Sequence, residues 1–159
     1  MIALPEHLPL IATAVVAFGG IAALLLARRR RRYAARICRR WGLDPGEVSV
    51  LSSDLARHRS DRRLMADGLV GSPDVLFRDR RRRQIVVGEA KSRHYRGEVT
   101  PYERFQATLY CGMAHRLYRR PVTAILLYGN GRRVPLAFDE GLYRQLLARR
   151  EECRRAMSR

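Results

Sequence analysis

Residues 73 to 91 read PDVLFRDRRRRQIVVGEAK, and this segment decides the fold. Residues 74 to 77 and 84 to 90 are two short segments with runs of apolar, often β-branched or aromatic, side chains, as strands have. The charged residues 78 to 83 between them predict a hairpin loop. The two strands are therefore expected to pair, which would bring the start of the first strand beside the end of the second.

The rest of the chain predicts further strands and two helices around this hairpin. A helix over residues 101 to 119 is the most clearly marked, because Thr100 can cap it, Pro101 suits its first turn and Glu103 completes a capping box. Apolar residues recur at every fourth position of this helix and predict one buried stripe. The stripe consists of Phe105, Leu109, Met113 and Leu117.

The remaining elements are predicted from turn residues and apolar runs. Further strands are expected at residues 47 to 51, 64 to 65, 69 to 70, 122 to 128 and 134 to 138. Asp139 is expected to cap a C-terminal helix. This order predicts an α/β domain over residues 43 to 159, with a mixed sheet flanked by helices.

The candidate catalytic side chains lie at the open end of the predicted hairpin. Glu89 and Lys91 are two residues apart in one strand, so their side chains share a face, and the hairpin can bring Asp74 across from Glu89. Two carboxylates and the Ala90 carbonyl are hard oxygen ligands of the kind that Mg²⁺ prefers. A cation held there would activate a water, and Lys91, the only lysine of the chain, would position that water or stabilise a phosphate.

The same residues resemble a known nuclease signature. Residues 68 to 74 (GLVGSPD) and 85 to 92 (IVVGEAKS) resemble the Pro-Asp and Glu-x-Lys motifs of the PD-(D/E)xK nuclease superfamily. Gln106 and Tyr110, four residues apart on the next helix, are similar to the RecB-like branch, which includes the CRISPR-associated exonucleases. The resemblance covers about residues 50 to 147 and implies a restriction-endonuclease-like fold.

The resemblance also implies an activity. It indicates a deoxyribonuclease that hydrolyses phosphodiester bonds with Mg²⁺ or Mn²⁺. Asp74 and Glu89 would be metal ligands together with the carbonyl of Ala90, and Lys91 would be the catalytic lysine. The pair on the helix, Gln106 and Tyr110, would support the site and the DNA.

Two features depart from the pattern of those relatives. The relatives often take a further metal ligand from an upstream element, and His58 is the candidate here, with Asp54 and Glu47 behind it. The CRISPR-associated relatives carry four cysteines for an iron–sulfur cluster, whereas this chain has three cysteines in no such spacing. No iron–sulfur cluster and no structural zinc is therefore expected, and free thiols fit a reducing cytoplasm.

The charge of the chain indicates a polyanionic partner. The formal net charge is +17, and the eight arginines from position 28 to position 40 leave about +9 for the other residues. Such an excess favours nucleic acid, so DNA is the predicted partner. The arginines predicted to contact its phosphates lie on either side of the hairpin. They are Arg57, Arg63, Arg93 and Arg104.

The N-terminal residues predict a membrane anchor. Residues 8 to 27 carry no charge and match the ~30 Å hydrocarbon core of a bilayer in length. The basic cluster follows this run, which argues against a cleaved signal peptide and predicts a basic juxtamembrane helix over residues 28 to 42. The positive-inside rule then predicts a single-pass protein of the bacterial inner membrane, with residues 1 to 7 outside and the α/β domain in the cytoplasm beside anionic lipid.

The sequence alone leaves three classes of function open. The first is a membrane-anchored DNA nuclease. The second is a nuclease-fold module whose metal site is too weak for turnover and which binds DNA at the membrane. The third is a protein whose arginines serve only anionic lipid. A channel or transporter is disfavoured, because one span cannot line a pathway without oligomerising, and both a homo-oligomer and a complex with a partner protein stay open.

Overall fold

The computed structural model describes residues 8 to 53 and 63 to 157, and the side chains of the first helix are described from Gly20 onward. The chain divides into two compact units, residues 1 to 36 and 37 to 159. The described elements are α1 (Leu8–Arg40), β1 (Val48–Ser53), β2 (Leu64–Ala66), β3 (Leu69–Gly71), β4 (Val75–Asp79), β5 (Gln84–Lys91), α2 (Pro101–Tyr118), β6 (Val122–Tyr128), β7 (Arg133–Ala137) and α3 (Glu140–Met157).

The second unit contains a mixed five-stranded sheet with the order β1-β4-β5-β6-β7. Strands β4 and β5 form the predicted antiparallel hairpin, with Val75 opposite Gly88. Strand β6 runs parallel to β5, with Lys91 opposite Tyr128, and α2 makes the crossover between them. The two outer pairs are antiparallel, and β2 and β3 form a separate hairpin. The predicted mixed α/β arrangement is therefore confirmed.

Both faces of β5 are buried, which explains its apolar run from Ile85 to Gly88. Ile85 and Val87 point to a core that also contains residues of α2 and β6. Val86 points to the other face, where Trp41 and the last turn of α1 cover the sheet. Since successive side chains of a strand alternate between its faces, Glu89 and Lys91 continue the row of Ile85 and Val87 under α2.

Helix α2 begins as predicted but buries a different face. The capping box is present, because the Glu103 amide donates to the Thr100 hydroxyl and the Thr100 amide donates to the Glu103 carboxylate. The predicted apolar stripe is wrong at Phe105 and Leu117, which are 39% and 49% exposed. The buried face consists mainly of small residues, and at Gly112 the ring of Tyr143 from α3 occupies the space that a Cβ would take. Close packing of α3 therefore sets the rotation of α2.

The boundaries of the other elements lie near the predicted ones. Strand β6 has the predicted bounds, Val122–Tyr128. Strands β1 and β7 are each shifted by one or two residues, to Val48–Ser53 and Arg133–Ala137. Asp139 caps α3 as predicted, because its Oδ1 accepts a hydrogen bond of 2.9 Å from the Leu142 amide.

The first helix is not the predicted transmembrane segment. Helix α1 runs without a break over 33 residues, from Leu8 to Arg40. Among the described residues, no helix has the length and apolar character that a membrane crossing needs. The predicted transmembrane helix and the inner-membrane localisation derived from it are therefore wrong.

Candidate active site

The residues predicted to form the active site meet at one end of the β4–β5 hairpin. Asp74 directly precedes β4, and the register of the hairpin places it level with Glu89. The Ala90 backbone N–H donates a hydrogen bond of 2.6 Å to Asp74 Oδ2. This bond fixes the Asp74 carboxylate against the strand that carries Glu89 and Lys91.

Gln106 joins the two charged side chains of β5. Its Nε2 donates to Glu89 Oε1 at 2.7 Å, and its Oε1 accepts from Lys91 Nζ at 2.6 Å. Lys91 Nζ also lies 3.4 Å from Glu89 Oε1, and the two side chains are only 14% and 10% exposed. The predicted cluster of Glu89, Lys91 and Gln106 is therefore one hydrogen-bonded group, and Lys91 has no ion pair outside it among the described residues.

Among the described residues, the second carboxylate oxygen of Glu89 has no partner. Oε2 is buried and accepts no hydrogen bond among the described residues. Burial, above all, and the negative charge of Asp74 raise the pKa of Glu89 from 4.5 to about 7, and the positive charge of Lys91 acts against both. A buried carboxylate oxygen without a donor costs free energy. A bound cation would supply the missing partner.

The donor set fits a hard divalent cation that keeps part of its water shell. Asp74 and Glu89 supply carboxylate oxygens, and Mg²⁺ is commonly held by one or two carboxylates with several waters. Among the described residues, no group of three His, Cys, Asp or Glu side chains comes together. The Ala90 amide is used by Asp74, and the predicted role of the Ala90 carbonyl as a ligand stays a prediction.

The candidates for a third ligand divide into two groups. His58 and Asp54 lie outside the described residues, as does Arg57, so the roles given to them stay predictions. Glu47 is described and lies at the opposite end of β1 from the site, since Val48 pairs with Asp79 while Ser53 pairs with Val75. Its carboxylate accepts a hydrogen bond of 2.9 Å from Arg81. Glu47 is therefore too far along the sheet to join Asp74.

Tyr110 is held in place by the strand before Asp74. Its hydroxyl lies 3.5 Å from Gln106 Nε2, at the limit of a hydrogen bond. Burial raises the pKa of Tyr110 above its ordinary value. On β3, a Cβ at Gly71 would lie 2.5 Å from the ring of Tyr110 and 2.8 Å from the methyl group of Met113. Glycine at position 71 thus allows the tyrosine to reach the site.

Arg93 makes contacts that fix the loop after β5. Its Nε and Nη2 donate to the two oxygens of Glu103 at 2.8 and 2.6 Å, and its guanidinium lies 5.0 Å above the ring of Tyr128. The tyrosine hydroxyl donates to the same carboxylate at 3.0 Å. The hydrogen bonds from Arg93, above all, lower the pKa of Glu103 to about 2. Most hydrogen-bond donors of Arg93 are used in contacts within the protein. The DNA contact predicted for Arg93 stays a prediction.

The other predicted phosphate contacts are not gathered at the site. Arg63 is exposed just before β2, and Arg104 is exposed on the first turn of α2. Arg104 lies about 200° around the helix from Gln106 and lines a separate cavity of about 420 Å³ beside β7 and α3. The structure therefore does not bring Arg104 to Asp74 and Lys91.

An open cleft adjoins the site at the carboxyl ends of the parallel strands β5 and β6. Its volume is about 560 Å³, and both Asp74 and Lys91 line it. Arg40 and Arg133 also line it, although the sequence interpretation gave neither of them a role. The position of Arg133 follows from the parallel pairing of β5 with β6, because the turn after Tyr128 must lie beside the residue after Lys91.

Comparison with known proteins finds no family model, no curated protein and no solved structure that matches the chain. The assignment to the PD-(D/E)xK superfamily therefore stays a prediction that depends on the motif residues.

Proposed function

We propose that the chain is a deoxyribonuclease that hydrolyses phosphodiester bonds with Mg²⁺ or Mn²⁺ held by Asp74 and Glu89. The observation that carries this proposal is the buried Oε2 of Glu89, which lies beside Asp74 and Lys91 and has no partner in the part of the chain that the structure describes. A carboxylate in this position is costly in the metal-free protein, and a divalent cation compensates the cost. The resemblance of the surrounding motifs to the PD-(D/E)xK superfamily supports the same activity.

The residues of the site have distinct tasks in this proposal. A bound cation would lower the pKa of a water and neutralise charge on the phosphate. The Ala90 amide holds Asp74 in place, and Gln106 orients both Glu89 and Lys91. Lys91 places a positive charge next to the attacked phosphate, where such a charge stabilises the negative charge that develops in the transition state.

Cleavage of DNA by the purified full-length chain tests the proposal. With Mg²⁺ or Mn²⁺, the wild type is expected to cut linear or circular DNA, and EDTA is expected to stop it. Asp74→Asn and Lys91→Met should each lower the rate by about 100-fold or more. Asp44→Asn is the matched control, because Asp44 is exposed in the turn after α1 and its loss removes one carboxylate outside the site. A wild type that cuts no faster than Lys91→Met would refute the proposal.

One observation favours a second candidate function, a DNA-binding module without turnover. Among the described residues, the site gathers two acidic ligands and no third side chain. Two carboxylates hold Mg²⁺ less tightly than three, so the affinity for the cation could be too low for catalysis. Salt-sensitive DNA binding without cleavage, at millimolar Mg²⁺ and Mn²⁺, would favour this function over the nuclease.

A further inference from the structure

We infer that the cleft beside Lys91 binds the sugar–phosphate backbone of the DNA strand, with Arg40 and Arg133 contacting the phosphates next to the one that is cleaved. This inference rests on the proposed function and assigns substrate contacts to two arginines outside the nuclease motifs. We call this cleft the arginine cleft. Its lining includes Arg40, Lys91, Ser92, Gly129, Gly131 and Arg133.

Small residues line part of the arginine cleft. Ser92 follows β5, and Gly129 and Gly131 belong to the turn after β6. At Gly129 a Cβ would collide with the Ser92 carbonyl oxygen, so the two backbone segments lie in direct contact. At Gly131 an added Cβ would meet no atom within 4 Å. The cleft of about 560 Å³ is therefore open at Gly131, as a path for an extended polymer must be.

Arg133 is fixed in the wall of the cleft before any ligand binds. Its Nε donates to the Arg40 carbonyl at 2.9 Å, and its Nη2 donates to the Arg39 carbonyl at 3.4 Å. Its Cδ packs against Gly42, where a Cβ would lie 3.0 Å away. The carbonyls at the end of a helix attract a cation. A guanidinium has five donor hydrogens, so these contacts leave donors for a phosphate, and a fixed side chain loses little entropy on binding.

Arg40 supplies a second cation at the end of α1. Its side chain is exposed, and its guanidinium makes no hydrogen bond or ion pair with the residues that the structure describes. Among the described residues that line the cleft, Arg40, Lys91 and Arg133 are positive and Asp74 is negative. The cleft is thus complementary to an anion, and its continuity with Asp74 and Lys91 makes that anion part of the same substrate.

DNA binding by the full-length chain in EDTA tests this inference apart from cleavage. Anisotropy of a fluorescein-labelled single-stranded oligonucleotide gives the affinity over a series of salt concentrations. Arg40→Gln and Arg133→Gln are each expected to weaken binding about 10-fold, the loss of one charge-assisted contact. Each should also lower the slope of log affinity against log salt by about 1.

Neighbouring arginines provide matched controls. Arg39→Gln and Arg132→Gln remove the same charge from adjacent exposed positions that do not line the cleft, and both are expected to change the affinity less than 2-fold. Equal weakening by all four variants, or no weakening by Arg40→Gln, would overturn the inference. Because Arg133→Gln also removes contacts to α1, Arg40→Gln decides the outcome if the other variant fails to fold. If the wild type cleaves DNA but the Arg40→Gln variant binds DNA as tightly as the controls, the inference about the arginine cleft is refuted and the proposed nuclease activity is not.

Discussion

Glu89 is the residue at which burial and charge are most clearly in conflict. Its carboxylate is buried under α2, with one oxygen bound by Gln106 and Lys91 and the other without a donor among the described residues. A structural carboxylate in such a place would be expected to gain a full set of donors. This incomplete set of donors is the basis for the proposed cation site.

The pH dependence of stability should report this conflict in the metal-free protein. The pKa of Glu89 is raised from 4.5 to about 7 on folding, so the folded chain holds its proton where the unfolded chain releases it. The resulting stabilisation is complete below pH 4.5 and is lost as the pH rises through 7, by up to about 3 kcal/mol. Glu89→Gln stays neutral, and its stability relative to the wild type should therefore rise from pH 5 to pH 8.

Urea unfolding in EDTA at pH 5 and pH 8 measures this difference. Glu98→Gln serves as the control, because Glu98 is exposed in the loop before α2 and its loss should leave the pH profile of the wild type unchanged. If the stability of the wild type and of Glu89→Gln changes with pH in parallel, folding does not raise the pKa of Glu89, and the prediction is contradicted.

Gly71 gives a second prediction at the scale of a residue. Gly71→Ala places a methyl group 2.5 Å from the ring of Tyr110, so the ring must move and the variant is expected to lose about 1–3 kcal/mol of stability. Thermal or urea unfolding measures the loss. Gly20→Ala, at a helical glycine whose added Cβ would meet nothing within 4 Å, should not destabilise the chain. A Gly71→Ala protein as stable as the wild type would contradict the close contact.

An ion pair joins the loop after β5 to the start of α2, and we call this contact the junction. Arg93 belongs to the loop and Glu103 to the helix, and their bidentate ion pair lies at the capping box, with Glu103 buried. Gln106 follows one turn later, so the ion pair also fixes the residue that orients Glu89 and Lys91. The position of the site therefore depends on this junction.

Acid unfolding should reveal the contribution of the junction. The pKa of Glu103 falls from 4.5 to about 2 on folding, so its stabilisation is present above pH 4.5 and is lost as the pH falls through 2. Glu103→Gln should lose up to about 3 kcal/mol at pH 7 and should show a weaker dependence on pH between 4.5 and 2. Glu47→Gln breaks the exposed pair with Arg81 and should cost less than about 1 kcal/mol. Similar losses for both variants would contradict the role of the junction.

The elements differ in how far sequence could predict them. The β4–β5 hairpin and the capping box of α2 follow from local signals, and both are found where they are predicted. The buried face of α2 could not be predicted in this way, since it depends on a ring from α3 that fills the space beside Gly112. Arg133 and Arg40 lie 93 positions apart in the chain, so no local pattern marks them among 31 arginines.

At the scale of the whole molecule, the arginines exceed the acids that can neutralise them. The chain has a formal net charge of +17, and the ion pairs within the described residues include Arg81, Lys91, Arg93, Arg116 and Arg150 as cations. The membrane prediction assigned part of this charge to lipid, and the structure contradicts the span on which that prediction depended. We propose a polyanionic partner as the reason for the excess, and the proposed arginine cleft would give that partner a path to the site.

Anomalous diffraction from crystals of the full-length chain soaked in Mn²⁺ tests the proposed metal site most directly. Data collected at the manganese absorption edge should show a peak about 2.2 Å from an Asp74 carboxylate oxygen and from Glu89 Oε2, with Lys91 beside it. The same soak of Glu89→Gln crystals should show a weaker peak or none. A wild-type map without a peak between these carboxylates, or with its manganese elsewhere, would contradict the metal site and the nuclease activity that depends on it.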